Sequence, residues 1–245
     1  IKLILFKKYT FRTLIKMVLE KSYKFDTSKI SFSDVKTNQN GGKSVYINLN
    51  NSQFVIQTPV MTIPFGLNVY DKGDYPKYSV EISFRDMEEN YKIKGFYENM
   101  EKLEERILDF AQKNSMAILG KKKVNIEVIK AMYTPILKKS RDKETGELDG
   151  KYPTTMKLKL PFWDGKESYI MESFSEEKKV LEIPQEEAFT KNAIIQAIIK
   201  CGGIWIVNGK FGCTWSVVKV RAEENKSISN YSFVDDDDDS DSDSD

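Results

Sequence analysis

The apolar period changes twice along this chain, and those changes restrict the fold more than any other feature. Between residues 29 and 84, β-prone runs alternate with turn residues: "KISFSDVK", "TNQNGGK", "SVYINLN", "NS", "QFVIQTP" and then "YSVEISF". Runs of this length, punctuated by Asn and Gly, read as strands and hairpins, with Gly41 and Gly42 supplying positive φ at one turn. In "TPVMTIPFGLNVY", Pro59 and Pro64 stand too close together for an interior strand, so this stretch is expected at an edge or in a crossing loop. From Phe96 the spacing becomes helical. Phe96, Met100, Leu103, Ile107 and Phe110 share one stripe, while Glu98, Glu101, Glu104, Glu105 and Asp109 lie elsewhere around the axis. Residues 96–113 are therefore one amphipathic helix, too acidic outside to face nucleic acid and suited to covering the back of a sheet. A shorter helix runs from an Asn125 cap through Met132.

Period two then returns. "YTPILKKSRDKETGELDGKYPTTMKLKLPFW" reads as strand, long charged hairpin, strand, with Met156, Leu158 and Leu160 on one face and Lys157 and Lys159 on the other. "NAIIQAIIKCGGIWIVNGKFGCTWSVVKVRAEE" gives three β runs with turns at Gly202-Gly203 and Asn208-Gly209. Many short strands with one or two helices predict a mainly β, α+β chain built on a small, elaborated β-barrel. Residues 17–224 form that domain, and from Asn225 the chain reads as a disordered acidic tail. Residues 1–16, without an initiator Met and interrupted by Lys7 and Lys8, are expected to be a basic extension or upstream read-through.

Charge is neutral on average and polarised in detail. The 38 cations nearly match 37 anions, but the last eleven residues hold eight of those anions, so residues 1–234 carry an excess of nine positive charges. The absence of histidine excludes imidazole-based catalysis and removes the commonest zinc ligand. Cys201 and Cys213 read as free buried thiols. "GGKS" lacks the upstream Gly of a phosphate loop, and "DKETGELDG" lacks calcium-loop spacing, so no cofactor, metal or enzymatic role is expected.

What remains is a pattern of aromatics interleaved with cations. Tyr133, Lys138, Lys139, Arg141, Lys151, Tyr152, Lys157, Lys159 and Trp163 fall within 31 residues. Trp205, Lys210, Phe211 and Trp215 form a second group, with Lys219 and Arg221 beyond. Binding of single strands needs both ingredients: cations that track phosphates, and flat side chains on which unpaired bases stack at about 1–3 kcal/mol each. Two plainer readings stay open. The lysines beside Met156 and Leu158 are the wet face of an amphipathic strand, and at least one of Trp205 and Trp215 is core. The tail, Phe233 followed by Asp235, Asp236, Asp237, Asp238, Asp239, Asp241, Asp243 and Asp245, is a solubilising run, a hook for partners, or a tethered competitor for the basic face.

In "FVIQTPVMTIPFGLNVY", "MYTPILKKSRDKETGELDGKYPTTMKLKLPF" and "AIIQAIIKCGGIWIVNGKFGCTWSVVKVRA" the chain resembles the single-stranded DNA-binding proteins of large nucleocytoplasmic DNA viruses, and more distantly those of T7-type phages. The resemblance spans roughly residues 28–222. It implies an OB-like Greek-key barrel with inserted helices and sequence-tolerant binding of single-stranded DNA in replication, recombination or repair. It also implies an acidic C terminus that contacts replication proteins inside the host cell. The basic strand pair it points to begins at Tyr133 and includes Lys138, Lys139, Arg141, Lys157 and Lys159. This tail ends in Asp245 rather than an aromatic residue, which departs from the phage pattern. A DNA-coating virion protein and an acidic-tailed chaperone of basic proteins are the rival readings.

Overall fold

The hydrogen-bonded succession of strands returns to the strand on which it starts. In the computed structural model, which describes residues 19–222 apart from residues 40, 164, 176, 178 and 183, the main elements are β1 (Val55–Ile63), β2 (Lys77–Ser83), α1 (Tyr91–Lys113), α2 (Ile126–Met132), β3 (Thr155–Leu160), β4 (Ile170–Ser173), β5 (Ala193–Val207) and β6 (Lys210–Ala222). β2 pairs antiparallel with β3, and β3 pairs parallel with β6 through Leu158–Trp215 and Lys159–Ser216. β6 pairs antiparallel with β5, β5 pairs antiparallel with β1, and β1 meets β2 at Thr62 opposite Ser83. Among the described residues strands predominate over a few helices.

Two features expected to break strands instead bend them. β1 runs straight through Pro59, against the expectation of an edge or loop. Its register against β5 shifts between Gln196 and Ile198, so Thr58 and Pro59 together oppose Ala197. There the Thr58 hydroxyl accepts the Ala197 N–H at 2.9 Å, and the Gln196 amide donates to the Thr58 carbonyl at 3.2 Å. A bulge with a side-chain acceptor thus replaces the ladder bonds that proline interrupts. Likewise Gly202-Gly203 is not a turn: β5 is continuous for 15 residues, with a register shift between Cys201 and Ile204. Before the bulge β5 pairs with β1, and after it with Lys43–Val45. Gly203 has φ +81°, and a Cβ there would lie 2.4 Å from the Val45 carbonyl oxygen, so only glycine lets the strand change partners.

Elsewhere the expected punctuation holds, except that of Gly41 and Gly42 only Gly41 takes positive φ. Asn208 and Gly209 both have positive φ at the β5–β6 turn, and Gly41 closes the hairpin between Lys36–Thr37 and Lys43–Val45. Helix α1 starts earlier than its periodicity suggested, because Asn90 caps it by accepting the Lys92 N–H at 3.0 Å. Ile93, Phe96, Met100, Leu103, Ile107 and Ala111 bury its inner face, while Phe110 is half-buried and stacks on Phe32 at 4.6 Å. α2 begins at the Asn125 cap as expected, with the Asn125 side chain accepting the Glu127 N–H at 3.2 Å. No described helix is long and apolar enough to cross a membrane.

Candidate nucleic-acid interface

Strand alternation sorts the predicted residues into two faces, and burial decides which face can meet a ligand. Along β6, Phe211, Trp215 and Val217 point inward, and Gly212, Thr214 and Ser216 point outward. Phe211 is fully buried, and Trp215 packs edge-on against Phe54 with ring centroids 5.0 Å apart. Both were candidates for base stacking, and both are core. Exposing Phe211 would forfeit about 1.5–3 kcal/mol of burial, as much as one stacked base returns at about 1–3 kcal/mol. Tyr133 is also structural. Its ring tilts against Phe211 at 5.3 Å, its hydroxyl donates to Glu104 at 3.2 Å, and burial drives its phenol far above the ordinary range.

Glu104 explains how this segment is held. From α1 its carboxylate accepts the Tyr133 hydroxyl and the backbone N–H groups of Ile136 and Leu137. Burial raises its pKa, and these donors offset only part of that rise. Periodicity had placed Glu104 among outward acids; here it is turned in to fix the entry to the basic hairpin.

The paired lysines diverge. Lys138 forms an ion pair with Glu81 on the sheet's outer face. Lys139 turns to the helix, bonding Glu101 at 2.8 Å and lying over the Tyr97 ring at 5.6 Å; the Glu101 and Tyr97 contacts push its pKa up. Arg141 closes its own loop by donating to the Gly146 carbonyl at 2.8 Å, and Lys151 lies over the exposed Tyr152 ring at 5.5 Å. These contacts turn Lys139 toward α1 and hold Arg141 and Lys151 to their own hairpin.

Lys157 and Lys159 do belong to a common surface. Register places Ser79 and Ser216 on either side of Lys159, with Lys200 beyond Ser216 and Asn68 beyond Ser79, a row across five strands. The residues 68–70 extend the β1–β2 hairpin, setting Tyr70 opposite Lys77. Desolvation lowers the Lys159 pKa, and the like charges of Lys157 and Lys77 lower it further. None of the ion pairs among the described residues engages Lys77, Lys157 or Lys159. Clustered cations that raise one another's energy are a site prepared for anions.

Aromatic faces flank this row. Tyr70 is half exposed, and Phe65 and Tyr75 of the same connection are 68% and 80% exposed, large apolar rings with no core role. At the other end Trp205 is half-buried on the outer side, opposite Gly212. A Cβ on Gly212 would come within 2.9 Å of Trp205 Cζ2, so glycine there lets the indole lie close on the sheet. Lys210 is exposed at the adjoining turn. Tyr70, Lys77, Phe65, Tyr75 and Lys200 were not singled out from sequence. For all but Lys200 the signal was the cations and aromatics of "FGLNVYDKGDYPK", which looked like a loop until register joined it through β2 to β3.

The Trp163 backbone pairs with Lys166 in a short hairpin, but its side chain lies outside the described residues, as do Phe233 and the aspartates from Asp235 to Asp245. Cys201 is buried and Cys213 half-buried; both are free thiols with sulfurs 3.5 Å apart. Among the described residues no cluster of three metal-ligating side chains occurs.

Fold and surface together define a strand-dominated protein whose outer face carries three lysines, Lys77, Lys157 and Lys159, outside the ion pairs among the described residues. The chain belongs to a family of unknown function (DUF5871), whose model matches residues 79–235. No curated protein matches it. Among solved structures it is similar to the single-stranded DNA-binding protein from bacteriophage Enc34 in complex with single-stranded DNA, at 13% identity and a TM-score of 0.45 over 80% of this chain and 96% of that one. It is also similar to gp2.5, a single-stranded DNA-binding protein encoded by bacteriophage T7, at 12% identity and a TM-score of 0.41 over 69% of this chain and 91% of that one.

Proposed function

We propose that this protein binds single-stranded DNA without sequence preference, on the outer face of β2, β3, β5 and β6. The observation that carries this reading is the cluster of Lys77, Lys157 and Lys159, none of which makes an ion pair among the described residues although Lys157 lies across from Glu81, flanked by exposed Tyr70 and outward Trp205. The cations track phosphates, and the rings give bases a surface that is indifferent to sequence. The strand succession is read as a five-stranded, partly open Greek-key barrel of OB type, whose binding face is centred on β2 and β3 and extends onto β6 and β5. Replication, recombination or repair of viral DNA is the setting that the sequence resemblance implies. The acidic tail either competes for the same face, in which case removing residues 235–245 tightens DNA binding at low salt, or engages replication proteins, in which case the affinity is unchanged.

The test is a titration followed by tryptophan quenching, with oligo-dT and with duplex of equal length, at two salt concentrations. If about five phosphates are neutralised, log K for the single strand falls with a slope of about −3.5 against log salt. Binding of duplex with equal or greater affinity would instead favour the DNA-coating reading, because stacking requires unpaired bases.

A further inference from the structure

Val218 is an extra residue on β6, where the register against β5 shifts between Ile198 and Ile199, so the parity flips and the outer row continues from Ser216 to Lys219 and Arg221, and here the cations are already occupied. Lys219 Nζ lies 2.5 Å from Glu172 Oε1, and Arg221 Nε lies 3.6 Å from Glu172 Oε2, too long for a hydrogen bond. The Glu172 side chain is only 9% exposed, whereas those of Lys219 and Arg221 are about a third exposed. Oε2 has no hydrogen-bond partner among the described residues. Glu172 is therefore held by its bond from Lys219 and the charge of Arg221, which keep its carboxyl below the ordinary range, while Oε2 keeps acceptor capacity unused. Gln57, Gln196, Lys219, Arg221 and Glu172 line one cavity of about 70 Å³. Register sets Gln196 and Glu172 on the two sides of Arg221.

β4, which carries Glu172, is a four-residue strand. It pairs along Lys219–Ala222 on the same edge of β6 that β3 occupies at Trp215 and Ser216. The cluster thus extends the face that carries Lys159. From Ser216 to Lys219 the strand advances about 10 Å, so a chain of phosphates leaving Lys159 reaches it without changing face.

We propose that Lys219 and Arg221, with the amides of Gln57 and Gln196, form a further phosphodiester-binding position, and that Glu172 fills it as an internal phosphate substitute until a bound strand displaces the carboxylate. A carboxylate and a phosphodiester each carry one negative charge, so the exchange leaves the site's charge unchanged. The phosphodiester also offers acceptors to the cavity's amides. This inference rests on the single-strand reading above and adds an intramolecular competitor to it.

The experiment is salt-dependent oligo-dT binding by the full chain and by Glu172→Gln, with folding checked by thermal melting. Freeing up to two cations should steepen the slope by about 0.7–1.4 and tighten binding several-fold at low salt. Adding Lys219→Gln and Arg221→Gln to the Glu172→Gln variant should remove the gain. If the wild type binds and Glu172→Gln neither steepens the slope nor tightens binding, the inference fails and the single-strand reading stands. A gain that survives loss of Lys219 and Arg221 also overturns it, because the effect would then be diffuse charge. If neither protein binds oligo-dT, the parent reading falls and takes this one with it.

Discussion

Replacing Lys77, Lys157 and Lys159 together by glutamine should change the salt dependence of DNA binding more than it changes the fold. The three lysines make no ion pair among the described residues, and Glu81, which lies across from Lys157 and feels its charge, keeps its bonds from Lys138 and Thr155 when they are removed. Each single-strand phosphate neutralised contributes about 0.7 to the slope of log K against log salt, so three lost contacts reduce it by about 2.1, from about −3.5 to about −1.4. At 0.1 M salt the same counterions are worth about 2.1 log units, a loss near 100-fold or about 3 kcal/mol. Lys139→Gln is the matched control. Its charge is committed to Glu101 on the helix side, and its removal should leave the slope within about 0.3 of wild type. The assay is fluorescence anisotropy of labelled oligo-dT from 50 to 300 mM salt, about the range in which slopes are well determined. The assignment is refuted if the triple variant keeps the wild-type slope, or if Lys139→Gln loses as much as the triple variant.

Three further outcomes follow from the same geometry. Trp205→Phe should abolish most of the DNA-induced tryptophan quenching, whereas Trp215→Phe should retain it and lower the melting temperature, because Trp215 is core. Burial pushes the Glu81 carboxyl up, but hydrogen bonds from Lys138 and from Thr155 at 2.7 Å, with the charges of Lys138 and Lys157, hold it below the ordinary range. A depressed carboxylate stabilises the fold above its unfolded pKa and loses that contribution as pH falls through the folded value. Glu81→Gln should therefore flatten the acid limb of stability against pH, read by urea melts below pH 5. Glu104→Ala leaves the Tyr133 hydroxyl and two N–H groups without their acceptor and should cost about 2 kcal/mol in a urea melt. Glu104→Gln, which keeps a carbonyl oxygen, should cost less.

The strands were legible because turn chemistry is local. Asn208-Gly209, Gly41 and the Asn125 cap behave in the structure as their residue types require. What sequence could not show is compensation across strands. Pro59 is tolerated because Thr58, its neighbour, supplies an acceptor to Ala197, 139 residues away. Gly202-Gly203 bends β5 because Lys43–Val45 waits beside it as a new partner. The site was half legible for the same reason. Alternation alone put Lys157 and Lys159 outward, but joining them to Lys77 and Tyr70, or separating them from Lys139, needed the register of β2 and the reach of Glu101. The aromatic residues divided by face: Phe211 and Trp215 follow the inward parity of β6, whereas Trp205 takes the outward parity of β5. That parity is fixed only once the bulge at Gly202-Gly203 is known.

The most direct measurement is the map of backbone amide shifts in the isotope-labelled full chain on addition of oligo-dT. The account predicts the largest changes at Lys77–Ser79, Lys157–Leu160, around Trp205 and along Gly212–Ser216, with small changes on α1. Shifts confined to the 139–152 hairpin or to α1, or no shifts at saturating oligonucleotide, would contradict it.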